Sequence, residues 1–158
     1  MAEPTPTPGP TPSPLSDDLR QKIVTTAIAT AAAAADTDYT PGGRTLAGFD
    51  CSGFVYYVFH QVFPDFKKNM TTDDIIASDL FKEVTAYRPG DLIFFSAGTV
   101  PFEVKRGEKK VFGNHVGIVV DHGHWISSQT STGPAKVAMN NIWWGSRKKK
   151  YLKYVKLP

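Results

Sequence analysis

The sequence predicts an α+β fold in which N-terminal helices pack on one face of an antiparallel β-sheet. Apolar residues recur at helical spacing in the first half of the chain, whereas short runs rich in β-branched and aromatic residues, separated by turns, fill the second half. Helices followed by strands are typical of α+β domains. With 158 residues, of which 41% are hydrophobic, the chain can bury one core.

The N-terminal region predicts a tether followed by a helix. Residues 1–15 are rich in proline alternating with Thr, Gly and Ser. This composition holds an extended conformation and buries nothing, so we expect a disordered tether there and a folded domain over 16–158. Ser16 followed by two aspartates is typical of a helix start, and the apolar spacing predicts the first helix over 16–35.

A second helix is predicted to begin at Cys51, after a loop rich in glycine and proline at 39–48. Pro64 ends its pattern. The apolar residues that share one face of this helix are Phe54, Val55, Val58, Phe59 and Val62. Thr72, followed by two aspartates, is the predicted N-cap of a short third helix.

Five strands are predicted after a turn at 88–91. They lie at 92–95, 116–120, 125–129, 136–139 and 151–156. A second turn at 121–123 joins two of them. The segment 97–114 is polar and basic, and an insertion of this length in a compact domain is usually functional or mobile.

Composition excludes several classes of protein. The net charge of +3 falls short of a nucleic-acid-binding composition. The single cysteine forms neither an internal disulfide nor a cysteine-based zinc site. No apolar run approaches the roughly 20 residues of a membrane-spanning helix. We therefore expect a monomer with no nucleic-acid partner, membrane span, metal or cofactor.

Cys51 is a buried structural thiol, an incidental one or a nucleophile. The first turn of a helix stabilises a thiolate, because unpaired backbone N–H groups and the helix dipole point at the sulfur. The small neighbours Ser52 and Gly53 keep the approach to the sulfur open. Position alone leaves all three interpretations standing.

A nucleophilic cysteine needs a base, and the chain has four histidines. His60 lies nine residues further along the same helix, roughly 13 Å away, and is too far. His122 and His124 flank a turn and are expected in solvent. His115 begins a strand and is either the base or a surface histidine, because alternation turns it away from the predicted core residues Val116, Ile118 and Val120.

A polar side chain usually orients a catalytic histidine. If the hairpin turns at 121–123, His115 lies opposite Gln129, and Ser127 shares the same face. Gln129 has the longer reach and a carbonyl acceptor, which favours it. A surface polar residue without a role is the alternative.

Three sequence blocks and their order resemble the NlpC family, the papain-like cysteine peptidases of bacterial cell walls. The blocks are FDCSGFV at 49–55, RPGDLIFF at 88–95 and HVGIVV at 115–120. Tyr39, with the glycines that follow it, is similar to the family's preceding tyrosine-glycine motif. The resemblance spans roughly 20–157 and implies the papain-like NlpC fold, with the catalytic cysteine at a helix N-terminus.

Residue by residue, the resemblance implies that Cys51 is the nucleophile and His115 the general base, with Tyr39, Asp50 and Ser52 near the substrate. The family's third member is usually a histidine or another polar residue twelve positions after the base. Here that position is Ser127, a departure. Either Ser127 serves, or the register shifts and Gln129 takes the role.

The implied reaction is hydrolysis of an amide bond in a peptidoglycan stem peptide, commonly between D-glutamate and the diamino acid, without metal or cofactor. A deamidase or acyltransferase that uses the same Cys-His dyad on another substrate is one alternative. A non-catalytic module that binds wall peptide is a second. The basic insertion is longer than the family's usual loop, which suggests altered specificity or a partner-binding element.

Location follows less directly from the sequence. No recognisable signal peptide precedes the domain, so a wall hydrolase of this kind requires another export route. One hypothesis is an antibacterial effector, delivered by a contact-dependent machine to the periplasm or wall of a target bacterium. It would be made with an immunity protein, and the proline-rich tether would join it to a secretion carrier. The alternative is a domain excised from a longer exported autolysin.

Overall fold

The computed structural model describes residues 15–66, 71–78, 80–95, 101–105, 108–111, 115–129, 133–141 and 149–155. The predicted tether lies outside these ranges apart from Leu15, which is buried in the core. Within the described ranges, no helix combines the length and the hydropathy needed to cross a membrane.

The first two helices follow the predicted pattern. Helix α1 covers Asp17–Ala33, and Ser16 caps it by accepting the N–H of Leu19. It ends before the predicted residue 35, because Ala34 leaves the helical conformation. Helix α2 covers Cys51–Val62 and begins at the predicted residue.

The third helix, α3, covers Thr72–Ala77, and its predicted cap was wrong by one position. Thr71, not Thr72, is the N-cap. The hydroxyl of Thr71 accepts the N–H of Asp74, and the Asp74 carboxylate accepts the N–H of Thr71 in return. Both threonines precede acidic residues, so only the backbone conformation separates the two candidates.

The strands run in chain order from β1 to β10. Their bounds are β1 Arg44–Thr45, β2 Gly48–Phe49, β3 Phe81–Val84, β4 Leu92–Phe95, β5 Pro101–Lys105, β6 Glu108–Val111, β7 His115–Asp121, β8 His124–Gln129, β9 Gly133–Ala138 and β10 Lys149–Tyr154. Six of them form one antiparallel sheet in the order β3-β10-β4-β7-β8-β9. Helices before an antiparallel sheet confirm the predicted α+β class.

The five predicted strands correspond to β4, β7, β8, β9 and β10. Strand β4 has its predicted bounds, β7 is one residue longer at each end, β8 begins one residue earlier, and β9 and β10 begin two or three residues earlier. The pattern missed β3, an edge strand in which only Phe81 is buried. It also missed two hairpins. One joins β1 and β2 inside the predicted loop 39–48, and the other joins β5 and β6 inside the basic insertion.

The main sheet buries apolar side chains on both faces. The inner cluster packs against α1 and α2 and includes the predicted core residues of β7, namely Val116, Ile118 and Val120. The outer cluster, on the opposite face, consists of Ile93, Phe95, Val119 and Trp125. Strands β4, β7 and β8 contribute to both clusters, because successive side chains of a strand point to opposite faces.

A buried ion pair joins α1 to the turn before β4. Arg20 and Asp91 are both buried, and their side chains lie 2.8 Å apart. Arg20 also donates to the carbonyl of Pro89 at 3.1 Å, and Asp91 accepts the N–H of Arg88 at 2.9 Å. The helical pattern of α1 did not predict this ion pair, because Arg20 and Asp91 are far apart in the sequence.

Candidate active site

The N-terminus of α2 is organised by the carboxylate of Asp50. One oxygen accepts the N–H of Gly53 at 2.6 Å and the hydroxyl of Ser52 at 3.1 Å. The other accepts the N–H of Gly42 at 2.8 Å. Asp50 is therefore both the N-cap of the helix and its link to the preceding glycine loop, which holds the next residue, Cys51, in place.

Two glycines let the loop approach the helix. A Cβ on Gly53 would lie 1.8 Å from the carbonyl oxygen of Gly43, and a Cβ on Gly43 would lie 2.4 Å from that of Gly48. Contacts this short with backbone atoms exclude any side chain at either position. The glycine of the DCSG sequence is thus required by packing.

Cys51 lies in the inner cluster and is only 5% exposed. Burial, reinforced by the charge of Asp50, raises the pKa of its thiol to about 11. Backbone N–H groups of Val116, Ser52 and Cys51 itself point at the sulfur and partly offset this rise in pKa. The helix start thus supplies the donors that the sequence predicted, but in this state burial outweighs them.

Tyr39 is in direct contact with the cysteine. Its phenol is hydrogen-bonded to Cys51, and burial together with the charges of Cys51 and Asp50 raises the pKa of the phenol above its usual range. The backbone of Tyr39 forms an isolated parallel bridge to Phe49, just before this group of residues. Tyr39, Asp50, Cys51 and Ser52 therefore form one contiguous cluster.

His115 occupies an aromatic site on the outer face of the sheet. It is 6% exposed, so the surface interpretation was wrong. Its ring centroid lies 6.4 Å from that of Phe95 and 5.9 Å from that of Trp125. Burial lowers the pKa of the imidazole to about 4, and the neighbouring side chain of Gln129 partly opposes that shift.

The pairing of β7 and β8 explains the contact with Gln129. The two strands pair Ile118 with Ile126 and Val119 with Trp125, the register that a turn at 121–123 predicts. Continuing this register brings Gln129 opposite His115. Ser127 is fully buried, and its hydroxyl donates to the carbonyl of Val116 at 2.6 Å.

The structure brings the two groups of candidate residues to one end of β7. Val116, whose N–H points at the sulfur of Cys51, directly follows His115 along the strand. The other three histidines lie elsewhere. His60 contacts the carbonyl of Phe66, His124 pairs with Asp121 at the exposed end of the hairpin, and His122 is exposed beside it.

One residue of the cluster was missed by the sequence analysis. Ser128 is fully buried, and its hydroxyl donates to the carbonyl of Phe49 at 2.7 Å. A serine between two candidate residues carries no signal that distinguishes it from its neighbours. Among the described residues, no group of three His, Cys, Asp or Glu side chains is arranged to hold a metal ion.

Comparison with known proteins points to one family. A family model described as the NlpC/P60 family matches residues 36–154. The murein DD-endopeptidase MepS/murein LD-carboxypeptidase of Escherichia coli K12 is 32% identical over 111 residues, which are 69% of this chain and 51% of that protein. The probable endopeptidase NlpC of the same strain is 31% identical over 109 residues, which are 68% and 63% of the two chains. The chain thus spans about half the length of MepS.

Solved structures agree with these relatives. The crystal structure of the NlpC/p60 domain of the peptidoglycan hydrolase SagA superposes with a TM-score of 0.53 at 25% identity, covering 80% of this chain and 96% of that domain. The chain therefore combines the helix order, the antiparallel sheet and the three sequence blocks with a match to the family model. The chain belongs to the NlpC/P60 family.

Proposed function

We propose that this chain hydrolyses an amide bond of a peptidoglycan stem peptide, with Cys51 as nucleophile and His115 as general base. The observation that supports this best is the position of the chain's single cysteine. It is the first residue of α2, and its sulfur meets the N–H of Val116, the residue after His115. Relatives named as endopeptidases add independent support.

Before substrate binds, both members of the dyad are neutral. At pH 7 the thiol of Cys51, with a pKa of about 11, keeps its proton, and the imidazole of His115, with a pKa of about 4, carries no charge. An uncharged imidazole is the form that can accept the thiol proton. We therefore expect the proton to move from sulfur to imidazole as the sulfur attacks, and not in the free enzyme.

The reaction then proceeds in two acyl-transfer steps. The sulfur of Cys51 bonds to the amide carbon, and backbone N–H groups at the start of α2 stabilise the resulting oxyanion. His115 returns the proton to the leaving amine as the C–N bond breaks. Water, deprotonated by the same imidazole, next attacks the thioester, releasing the carboxylate and restoring the thiol.

Four further side chains support this chemistry in the proposal. Tyr39, Asp50 and Ser52 lie beside the sulfur, where they line the approach of the substrate. Gln129 serves as the third member because the strand register brings it opposite His115 and its side chain influences the pKa of the imidazole. Ser127 is disfavoured for that role, since its hydroxyl donates to the Val116 carbonyl.

The bond we propose joins D-glutamate to the diamino acid. MepS is named for DD-endopeptidase and LD-carboxypeptidase activities, which are different bonds of the same peptide. A cross-linked stem-peptide dimer separates the three cases by product mass. D-glutamyl cleavage releases a dipeptide, DD cleavage separates the dimer into monomers, and LD cleavage releases a terminal D-amino acid.

The decisive experiment incubates the purified protein and its Cys51→Ala variant with stem peptides and with the cross-linked dimer, followed by mass spectrometry. New amine ends from the parent protein alone support the peptidase. Ammonia release without chain cleavage supports the deamidase, and retention of peptide without turnover supports the binding module. No product from several wall chemotypes contradicts the proposal.

We also propose that the protein acts in the periplasm or cell wall of a target bacterium, as an effector paired with an immunity protein and joined to a secretion carrier. The support is the proline-rich composition before the domain, which suits a tether. Expression in a bacterium with and without a fused export signal tests it. Lysis only with the signal, and only with Cys51 intact, is expected. Lysis without export contradicts it.

A further inference from the structure

Three consecutive residues of β8 contact three different parts of the candidate site. Ser127 donates to the carbonyl of Val116, and Gln129 contacts the imidazole of His115. Ser128, between them, points to the opposite face of the strand. There its hydroxyl donates to the carbonyl oxygen of Phe49 at 2.7 Å.

The Phe49 carbonyl is a junction of the segments that carry the nucleophile. The same oxygen accepts the N–H of Thr40, the residue after Tyr39, at 3.0 Å. Phe49 is the last residue of β2, and Asp50 and Cys51 follow it directly. The oxygen thus connects the Tyr39 segment, the peptide before Cys51 and strand β8.

We propose that Ser128 is a positioning residue for Cys51, a role that rests on the proposed function. Its hydroxyl holds the Phe49 carbonyl against β8, and the next residue of β8 contacts His115. One strand therefore sets the position of both members of the dyad, the nucleophile through Ser128 and the base through Gln129. Small displacements between reacting groups cost large factors in rate, which makes such a common support effective.

The burial of Ser128 strengthens this inference. Its side chain is 0% exposed, so no solvent replaces the bond when the hydroxyl is removed. Without the hydroxyl, the Phe49 carbonyl retains its hydrogen bond from the Thr40 N–H but loses its hydrogen bond from strand β8. We expect the start of α2 to move away from β7, exposing the Cys51 sulfur and lengthening its distance to His115.

The test compares Ser128→Ala with Ser78→Ala and Ser128→Thr. Ser78 is a matched control because its hydroxyl also donates to a backbone carbonyl, that of Ile75 at 3.1 Å, at the end of α3. Ser128→Thr keeps the donor. Circular dichroism and Tm measurements first show that each variant is folded at the assay temperature. For each folded variant, kcat and KM are then measured on stem peptides, and the rate of Cys51 alkylation by iodoacetamide is measured as a function of pH.

For Ser128→Ala we expect kcat to fall at least about tenfold with KM within about twofold, because positioning acts on the transition state. Cys51 alkylation should accelerate, with its midpoint shifted to lower pH. Ser128→Thr should recover most of both values, and Ser78→Ala should change neither. A Ser128→Ala enzyme with unchanged kcat, or with an unchanged alkylation profile, overturns the proposal. Alkylation needs no substrate, so this readout stays decisive even if the parent protein cleaves no stem peptide.

Discussion

The two members of the candidate dyad lie in contrasting surroundings. Cys51 belongs to the inner cluster, and backbone N–H groups of Val116 and Ser52 point at its sulfur. His115 lies on the opposite face of the sheet, beside the rings of Phe95 and Trp125. The neighbouring side chain of Gln129 partly opposes the effect of burial on the imidazole pKa.

The contrast shows that two different environments both favour an uncharged side chain. At the sulfur, polar donors work against burial and leave the thiol with a raised pKa of about 11. At the imidazole, aromatic burial lowers the pKa to about 4. Both shifts favour the uncharged form, since burial penalises whichever form carries charge. In the free protein these pKa values disfavour transfer of the thiol proton to the imidazole. We therefore expect proton transfer to become favourable only when bound substrate is attacked.

Replacing Cys51, the proposed nucleophile, has the largest expected effect on the comparison. Cys51→Ala leaves no group that can form the thioester, and we expect kcat/KM on stem peptides to fall by at least about 1,000-fold. The fold should persist, because a small buried side chain is replaced by a slightly smaller one. Hydrolysis assays paired with Tm measurements check this. Substantial activity in the folded variant would place the nucleophile elsewhere.

The buried imidazole of His115 predicts that the free energy of unfolding falls in acid. The folded-state pKa of His115 is about 4 against 6.5 for the ordinary side chain, so the unfolded chain binds more protons between these values. The contribution of His115 is fully present above pH 6.5 and is lost as pH falls toward 4, amounting to about 3 kcal/mol. Urea denaturation from pH 7 to 4 measures it. His115→Phe should remove this component, and an equal acid slope in that variant would contradict the prediction.

Two variants test whether Gln129 or Ser127 is the residue that orients His115. Gln129→Ala should lower kcat about 10- to 100-fold, equivalent to about 1.5–3 kcal/mol for a hydrogen bond to a group that becomes charged. Ser127→Ala removes a bond to a backbone carbonyl and should cost about 1 kcal/mol of stability with less effect on kcat. Steady-state kinetics and denaturation on both variants decide. The reverse ranking in kcat would assign the third role to Ser127.

Opening the aromatic site has the smallest expected effect. Trp125→Leu should hydrate the imidazole and move the acid limb of kcat/KM from near pH 4 toward the ordinary histidine value by about one pH unit. Phe59→Leu is the matched control, since Phe59 is equally buried in the inner cluster. A pH profile for each variant tests this. A limb that moves equally in both would mean that the aromatic rings of the outer cluster do not set the pKa.

Much of the scaffold could be predicted from local patterns. The helical spacing placed the start of α2 at Cys51, and the turn at 121–123 predicted the observed pairing of Val119 with Trp125. Both features depend on neighbours within a few residues. The short edge strand β3 escaped prediction because its single buried side chain, Phe81, produces no alternation.

The sequence named candidate members of the site but not the contacts between them. The sequence blocks indicated Cys51 and His115, whereas strand alternation alone left His115 open as a surface histidine, and the third member stayed undecided. Burial by Phe95 and Trp125 settled the first point, since those rings come from strands that flank β7 in the sheet. The contact between Tyr39 and Cys51 likewise depends on how the loop folds back.

Residue spacing, capping and motif order were thus sufficient for the α+β class, the position of the cysteine at a helix start and the family. Tertiary packing supplied the rest: the buried Arg20–Asp91 pair, the bond from Ser128 to Phe49 and the direction of both pKa shifts. Local patterns follow from backbone geometry over a few residues. Burial and long-range hydrogen bonds depend on segments far apart in the chain, whose meeting is set by the assembled core.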